Sequence, residues 1–169
     1  MAKNLFINES FTKKTAAANR QNKNGNAQVE KNFSPLLNLV PIPVVYIDKT
    51  RIYRYVNSAY CNWHGITPTQ VIGKTVEEFI SKELLAHIQP LLNRVFNGEL
   101  VTFAGEVPFQ NTLRSVEATY TPDFDEEGNV QGTLIVIKDV TEETRKEKEL
   151  QYKQKQLQDY VDNAVIGLH

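Results

Sequence analysis

The sequence predicts an α+β fold: a five-stranded antiparallel sheet with short helices and one long helix on one face, followed by a further C-terminal helix. Three observations carry that reading. Two short β-branched and aromatic runs stand early in the chain, three longer ones stand late, and helical periodicity fills the interval between them. With 169 residues, 41% of them hydrophobic, the chain has material for one good core plus extensions.

Composition locates the extensions. Residues 1–31 are rich in Asn, Lys and Gln and nearly free of large apolar groups. They cannot bury enough surface to offset an ordering cost of roughly 1–2 kcal/mol per residue, so a disordered polar tail is expected there. The domain itself is expected over residues 32–141. Ser34 and Pro35 can cap and open a short helix, which the bracket Pro41-Ile42-Pro43 must end. Residues 44–47 (VVYI) and 52–56 (IYRYV) then read as strands, with Asp48-Lys49-Thr50-Arg51 as the hairpin between them.

Asn57 or Ser58 caps the next helix, whose apolar face reads Val56, Ala59, Tyr60 and Trp63, and Gly65 stops it. On this reading Cys61 and His64 flank the buried face without partners. Short helical turns follow at 67–71 and 76–80. Ser81 opens the longest helix of the domain, SKELLAHIQPLLNRVFNG, with Leu84, Ile88, Leu91, Leu92 and Val95 as its buried stripe. Pro90 removes one backbone hydrogen bond from it, which predicts a kink near Ala86.

The third strand, 100–109, places Val101, Phe103, Val107 and Phe109 on one face and leaves a gap in the row at Gly105. The fourth, 113–122, places Val116, Ala118 and Tyr120 on one face and Ser115, Glu117 and Thr119 on the other. Residues 123–129 turn the chain into the fifth, 131–137. That strand is apolar on both faces and needs a cover on each. Residues 142–162 are highly charged, contain no helix breaker and repeat Leu150, Leu157 and Val161 at heptad-like spacing, which predicts a coiled-coil-like linker helix with a weak seam.

Several function classes are excluded by what the residues lack. A single cysteine cannot form an internal disulfide, and a formal charge of -1 gives no basic field for nucleic acid. No run approaches the ~18 apolar residues of a membrane span, and Asn8 and Glu9 interrupt the opening before a secretory signal can form. A cytoplasmic location is therefore the default expectation. There is no GxxxxGK[ST], GxSxG, HExxH or CxxC motif. Cys61 and His64 stand at i and i+3, but no orienting group or oxyanion donor accompanies them, and two ligands do not make a tetrahedral zinc site. No enzyme activity is expected.

A set of ordered motifs is more specific. Tyr55-Val56-Asn57-Ser58-Ala59-Tyr60 leads to Gly65 and Ile72-Gly73-Lys74; Phe96-Asn97-Gly98-Glu99 closes the long helix; Tyr120-Thr121-Pro122 and residues 125–128 precede the last strand; Asp139-Val140-Thr141-Glu142 ends it. In this order and at these separations, from Phe33 to about Glu142, the chain resembles a PAS domain with its PAC motif, the sensory module of many bacterial signalling proteins. Residues 162–169 can be laid over 38–45 and resemble the opening of a second PAS repeat, over 163–169. The resemblance thus implies the front of a multi-PAS sensor histidine kinase of a two-component system, or a truncated relative.

Physical chemistry and resemblance meet at the exit motif. An acidic side chain and a hydroxyl before a helix can accept hydrogen bonds from its free amides, so Asp139, Val140 and Thr141 would join the sheet stiffly to the outgoing helix. The resemblance implies signal transfer through that joint to a downstream kinase or cyclase, with homodimerisation through the PAS sheet and the C-terminal helix. It also implies a ligand pocket between the inner sheet face and the long helix. Leu92, Phe103, Val116, Ala118, Tyr120 and Ile135 are its candidate residues, with Tyr120 and Ser115 as the polar handles; alternatively these side chains fill the core, and the module is a ligand-free interaction adaptor. Another alternative is a haem-binding gas or redox sensor with His87 as ligand, although His87 stands about 100° from Ile88 and at the rim of the apolar stripe. Flavin photochemistry is excluded, because the segment that would carry its reactive cysteine reads GKTVEEFI. No resident cofactor is expected.

Overall fold

The computed structural model describes residues 35–166, which fall into two units divided between Pro41 and Ile42. The tail expected at 1–31, the Ser34 cap and residues 167–169 lie outside the described residues. In the first unit, residues 35–37 form one helical turn, and the Leu39 amide donates to the Leu36 carbonyl at 3.1 Å.

The second unit is the sheet and its helices. Strands β1 (Val44–Asp48) and β2 (Tyr53–Val56) come first, then α1 (Ser58–His64), a 3-10 turn (Pro68–Gln70), α2 (Val76–Phe79) and α3 (Lys82–Phe96). Strands β3 (Val101–Phe109), β4 (Thr112–Phe124) and β5 (Val130–Asp139) follow, and α4 (Thr141–Ile166) leaves. The sheet order is β2-β1-β5-β4-β3, with every neighbouring pair antiparallel. β5 is therefore central, with Ile135 opposite Val45 on one side and Tyr120 on the other. Its central place accounts for its doubly apolar text: Ile135 is buried on the helix-covered face, while Leu134 and Val136 are half-buried on the other.

The β1–β2 hairpin closes on Asp48, whose Oδ1 accepts the amides of Thr50 and Ile52 at 2.8 and 3.2 Å. This side-chain turn holds Arg51 at φ 61°, a left-handed backbone that few non-glycine residues adopt. The period-two alternation predicted for β3 and β4 is observed: Val101, Val107, Phe109, Val116, Ala118 and Tyr120 are buried and face the helices. Against them α3 presents Leu92 and Val95, both fully buried. Ser81 caps this helix by accepting the Leu84 amide at 3.2 Å, and the helix continues past Pro90, which faces solvent.

One side chain organises the start of the domain. Asn57 is fully buried; its Oδ1 accepts the Val44 amide at 2.9 Å and the Tyr60 amide at 3.0 Å, and its Nδ2 donates to the Ile42 carbonyl at 2.9 Å. It caps α1 and clasps the entrance of β1 at once. That double duty also sets the rotation of α1, and here the structure corrects the sequence reading. Tyr60 and Cys61 are the buried residues, with His64 a turn later on the same face and Trp63 half-buried at its edge. The expected face does meet the core, with Val56 and Tyr60 buried and Trp63 against Phe109, but it is wider than expected, because Cys61 and His64 are packed against the domain as well.

Two further corrections concern boundaries. Ile52 is outside β2 and makes an isolated bridge with Thr75. α4 runs to Ile166, beyond the linker limit expected at 162, so residues 163–166 continue that helix.

Truncating Asn57 removes three hydrogen bonds and strands two amides and a carbonyl. Asn57→Ala is expected to lower the unfolding free energy by about 2–4 kcal/mol in urea titrations, whereas Asn62→Ala on the exposed side of α1 changes it by less than about 0.5 kcal/mol.

Candidate functional site

Between the inner sheet face and the helices lies a cavity of about 80 Å³. All six residues expected at a pocket, Leu92, Phe103, Val116, Ala118, Tyr120 and Ile135, line it. Period two on the strands and period 3.6 on α3 bring them together. Gly105 contributes by having no side chain: a Cβ there would lie 2.9 Å from Cζ of Phe103, so the Phe103 ring occupies the gap in the strand row. Ser115 does not reach the cavity. It points the other way along β4, as strand alternation requires, and its backbone serves the exit of the sheet instead.

The helices add residues that sequence reasoning left out. Tyr60, Trp63 and His64 from α1 and Tyr53 from β2 also line the cavity. The signal for His64 was present, since counting from the cap Asn57 puts residues 60, 61 and 64 on one helical face. His64 packs against Tyr60, Phe109 and Phe79, with ring centroids 4.4, 5.0 and 5.6 Å away. Burial pushes its pKa down to about 4, so the ring is neutral. Burial likewise pushes the Tyr53 phenol up to about 12 and those of Tyr60 and Tyr120 upward. No Asp, Glu, Lys or Arg lines the cavity. Its wall is apolar with neutral polar points.

His87 lies elsewhere. It is exposed on α3, with Nδ1 2.9 Å from the Glu83 carbonyl oxygen, and it is not among the cavity residues, whereas its neighbour Ile88 is. The 100° step between consecutive helical residues separates them.

A second cluster sits where the sheet ends. Asp139 Oδ1 accepts both the amide of Thr141, at 3.0 Å, and its hydroxyl, and Oδ2 accepts Arg114 Nη1 at 3.1 Å and the Trp63 indole N–H at 3.3 Å. Burial pushes the Asp139 carboxyl up, but the Thr141 and Trp63 hydrogen bonds and the Arg114 charge outweigh it and hold the group below the usual carboxylate range. Thr141 Oγ1 accepts the Ser115 amide at 3.0 Å, and the Val140 amide donates to the Ser115 carbonyl at 2.8 Å. The predicted joint residues Asp139, Val140 and Thr141 are thus fixed to β4 and to α1. The Trp63 ring also stacks on Phe109 at 4.5 Å, with 18° between planes, and both rings line the cavity. Two side chains therefore touch the cavity and, through Trp63, the root of α4.

A sequence profile of the PAS fold matches residues 37–145. The chain belongs to the PAS family. Its sheet order, the cavity under the long helix and the Asp139 joint are the PAS features of this molecule, and membership makes it a sensory signalling module. The PAS domain of Bordetella pertussis BvgS is similar, with 22% identity and TM-score 0.52 over 74% of this chain and 96% of that one. A PAS domain from Colwellia psychrerythraea shows 19% identity and TM-score 0.57 over 68% and 98%. A PAS domain from a two-component sensor histidine kinase shows 17% and 0.51 over 67% and 98%. No curated protein sequence matches the chain. Among the described residues no helix is long and apolar enough to cross a membrane.

Two outcomes follow from this geometry. Trp63→Phe keeps a ring against Phe109 and loses the indole donor, so it should cost about 1 kcal/mol in urea unfolding; Trp63→Ala loses both and should cost roughly 2–4 kcal/mol. His64 protonates near pH 6.5 when unfolded and near pH 4 when folded. Its contribution is present above pH 6.5 and lost as pH falls toward 4, about 2–3 kcal/mol in all. His64→Gln should flatten the stability profile across that window.

Proposed function

We propose that this PAS chain is a non-enzymatic sensor in which occupancy of the core cavity resets the Trp63–Asp139 contact and thereby the pairing of α4 with a second copy, passing the signal to an effector joined beyond that helix. The observation that carries the reading is that Trp63 lines the cavity and donates to Asp139, the residue that fixes the first turn of α4. A shift of the indole by a fraction of its ring width is enough to break a 3.3 Å hydrogen bond.

The helix supports the pairing half of the proposal. From Arg145 to Ala164 every residue is exposed, including Leu150, Leu157 and Val161. These repeat at heptad-like intervals, and a second copy of the same helix would cover them. A histidine kinase is the favoured effector, in line with the similar PAS domain from a two-component sensor histidine kinase.

Sedimentation of the whole chain at high micromolar concentration is expected to give a dimer, and Leu157→Glu a monomer. Coupling is tested by electron spin resonance distances between spin labels at Gln158→Cys of the two copies, in a Cys61→Ala background. Adding Trp63→Phe should change the distance distribution. A strict monomer in the first measurement, or identical distributions in the second, would remove the proposal.

A further inference from the structure

The outgoing helix carries one continuous stripe of two characters, acidic near the sheet and apolar beyond. Resting on the pairing of α4 with a second copy proposed above, we propose that the two helices run parallel, closed over Leu157–Ala164 and forked near the sheet by Glu143 and Glu147, whose charge sets how tightly the copies pair.

The stripe follows from two seven-residue series. Glu143, Leu150, Leu157 and Ala164 form one; Glu147, Gln154 and Val161, each four residues on, form the other. Together they span about 100° of the helix circumference, and every one of them is exposed. Leucines in the first series and a β-branched residue in the second suit a parallel two-stranded coil. The half nearest the sheet departs from that pattern by placing carboxylates where the partner helix would lie.

Ion pairing sets these two carboxylates apart from their neighbours. Glu142 meets Arg145 at 3.0 Å, and Glu149 meets Arg145 and Lys153 at 3.8 and 2.8 Å; both acids lie off the stripe. Lys148, also off it, reaches Glu106 of β3 at 3.2 Å. Glu143 and Glu147 make no ion pair among the described residues, and at i and i+4 they repel each other. The positive end of the helix dipole suits acids in the first turn, where Glu143 stands, but Glu147 lies a turn beyond it. Glu147 thus has no stabilising partner within its own copy.

Orientation decides what the acids meet. In a fully overlapped antiparallel pair, Glu143 and Glu147 would face Ala164 and Val161 of the second copy, and a carboxylate held against apolar side chains loses hydration without compensation. In a parallel pair each Glu147 faces its counterpart, with Lys146 of each copy beside the layer and Glu143 a turn back. Splaying keeps all four carboxylates in water. The repulsion then falls on the half of the seam next to Asp139, which is free to answer the joint while Leu157, Val161 and Ala164 stay paired.

Charge exchange at one position tests this in the whole chain. At low salt, Glu147→Gln is expected to lower the dimer dissociation constant about three- to tenfold in sedimentation, and Glu147→Lys alone to pair no more tightly than the wild type. An equimolar mixture of wild type and Glu147→Lys should form mixed dimers, counted by native mass spectrometry, about three- to tenfold tighter than either homodimer; in 1 M NaCl these differences should fall below about twofold. Spin labels at Gln151→Cys, in a Cys61→Ala background, should give a broad distance distribution that Glu147→Gln narrows, while labels at Gln158→Cys stay narrow in both. No preference for mixed dimers, an affinity indifferent to the charge at 147, or equal distributions at the two label positions would overturn the fork and leave the pairing of α4 standing. Monomers in every variant and in the mixture would remove the pairing itself, and the fork with it.

Discussion

The arrangement depends on a single carboxylate with more donors than one element can supply. Asp139 stands at the end of the central strand, partly removed from water, and a carboxylate so placed must be supplied with hydrogen bonds or lose its charge. Thr141 supplies two from the first turn of α4, Arg114 one from β4 and Trp63 one from α1. Hydrogen bonds to a charged group are each worth about 1.5–3 kcal/mol, so meeting the demand fixes three elements around one point. The ion pair with Arg114 adds less, because its guanidinium is 41% exposed and solvent screens it. At the opposite end of the polypeptide's path through the domain, Asn57 does the equivalent work with a neutral amide, tying β1 to α1. Cap and joint meet through α1, since the rotation that Asn57 imposes is what brings Trp63 within reach of Asp139.

That chain of dependence explains what could be read from the sequence. Strand faces were legible because alternation is a local property: Phe103, Val116, Ala118, Tyr120 and Ile135 each follow from two-residue spacing, and Leu92 from the helical repeat. The joint was legible because an acid and a hydroxyl before a helix have local meaning. The full buried width of α1 was not, because the helix is held by a contact between Asn57 and Val44, thirteen residues earlier. Reading the helix by hydrophobicity alone found Tyr60 and Trp63 and set His64 aside. The partnership of Trp63 with Asp139 spans 76 residues and has no trace in either local sequence.

The wall of the cavity is uneven in stiffness. Val45, Ile135, Ala118 and Tyr120 stand on the three inner strands of the sheet, β1, β5 and β4, where neighbouring strands hold each backbone on both sides. The Phe103 ring instead lies over a glycine on the edge strand β3. Trp63 sits at the rim of a seven-residue helix. Both softer side chains are aromatic, so a small rotation of either changes the space by more than a shift of the sheet does.

The shared position of Trp63 has a consequence for whatever binds the outgoing helix. If two settings of the indole differ in how well they suit a cavity ligand, they must differ by the same factor in how well they suit a partner on α4, since coupling free energy has no direction. A helix clamped by its effector would hold Asp139, and through it the indole, in one setting. The affinity of the cavity is then a property of the assembled complex, and the effector would act on its own sensor as an allosteric ligand.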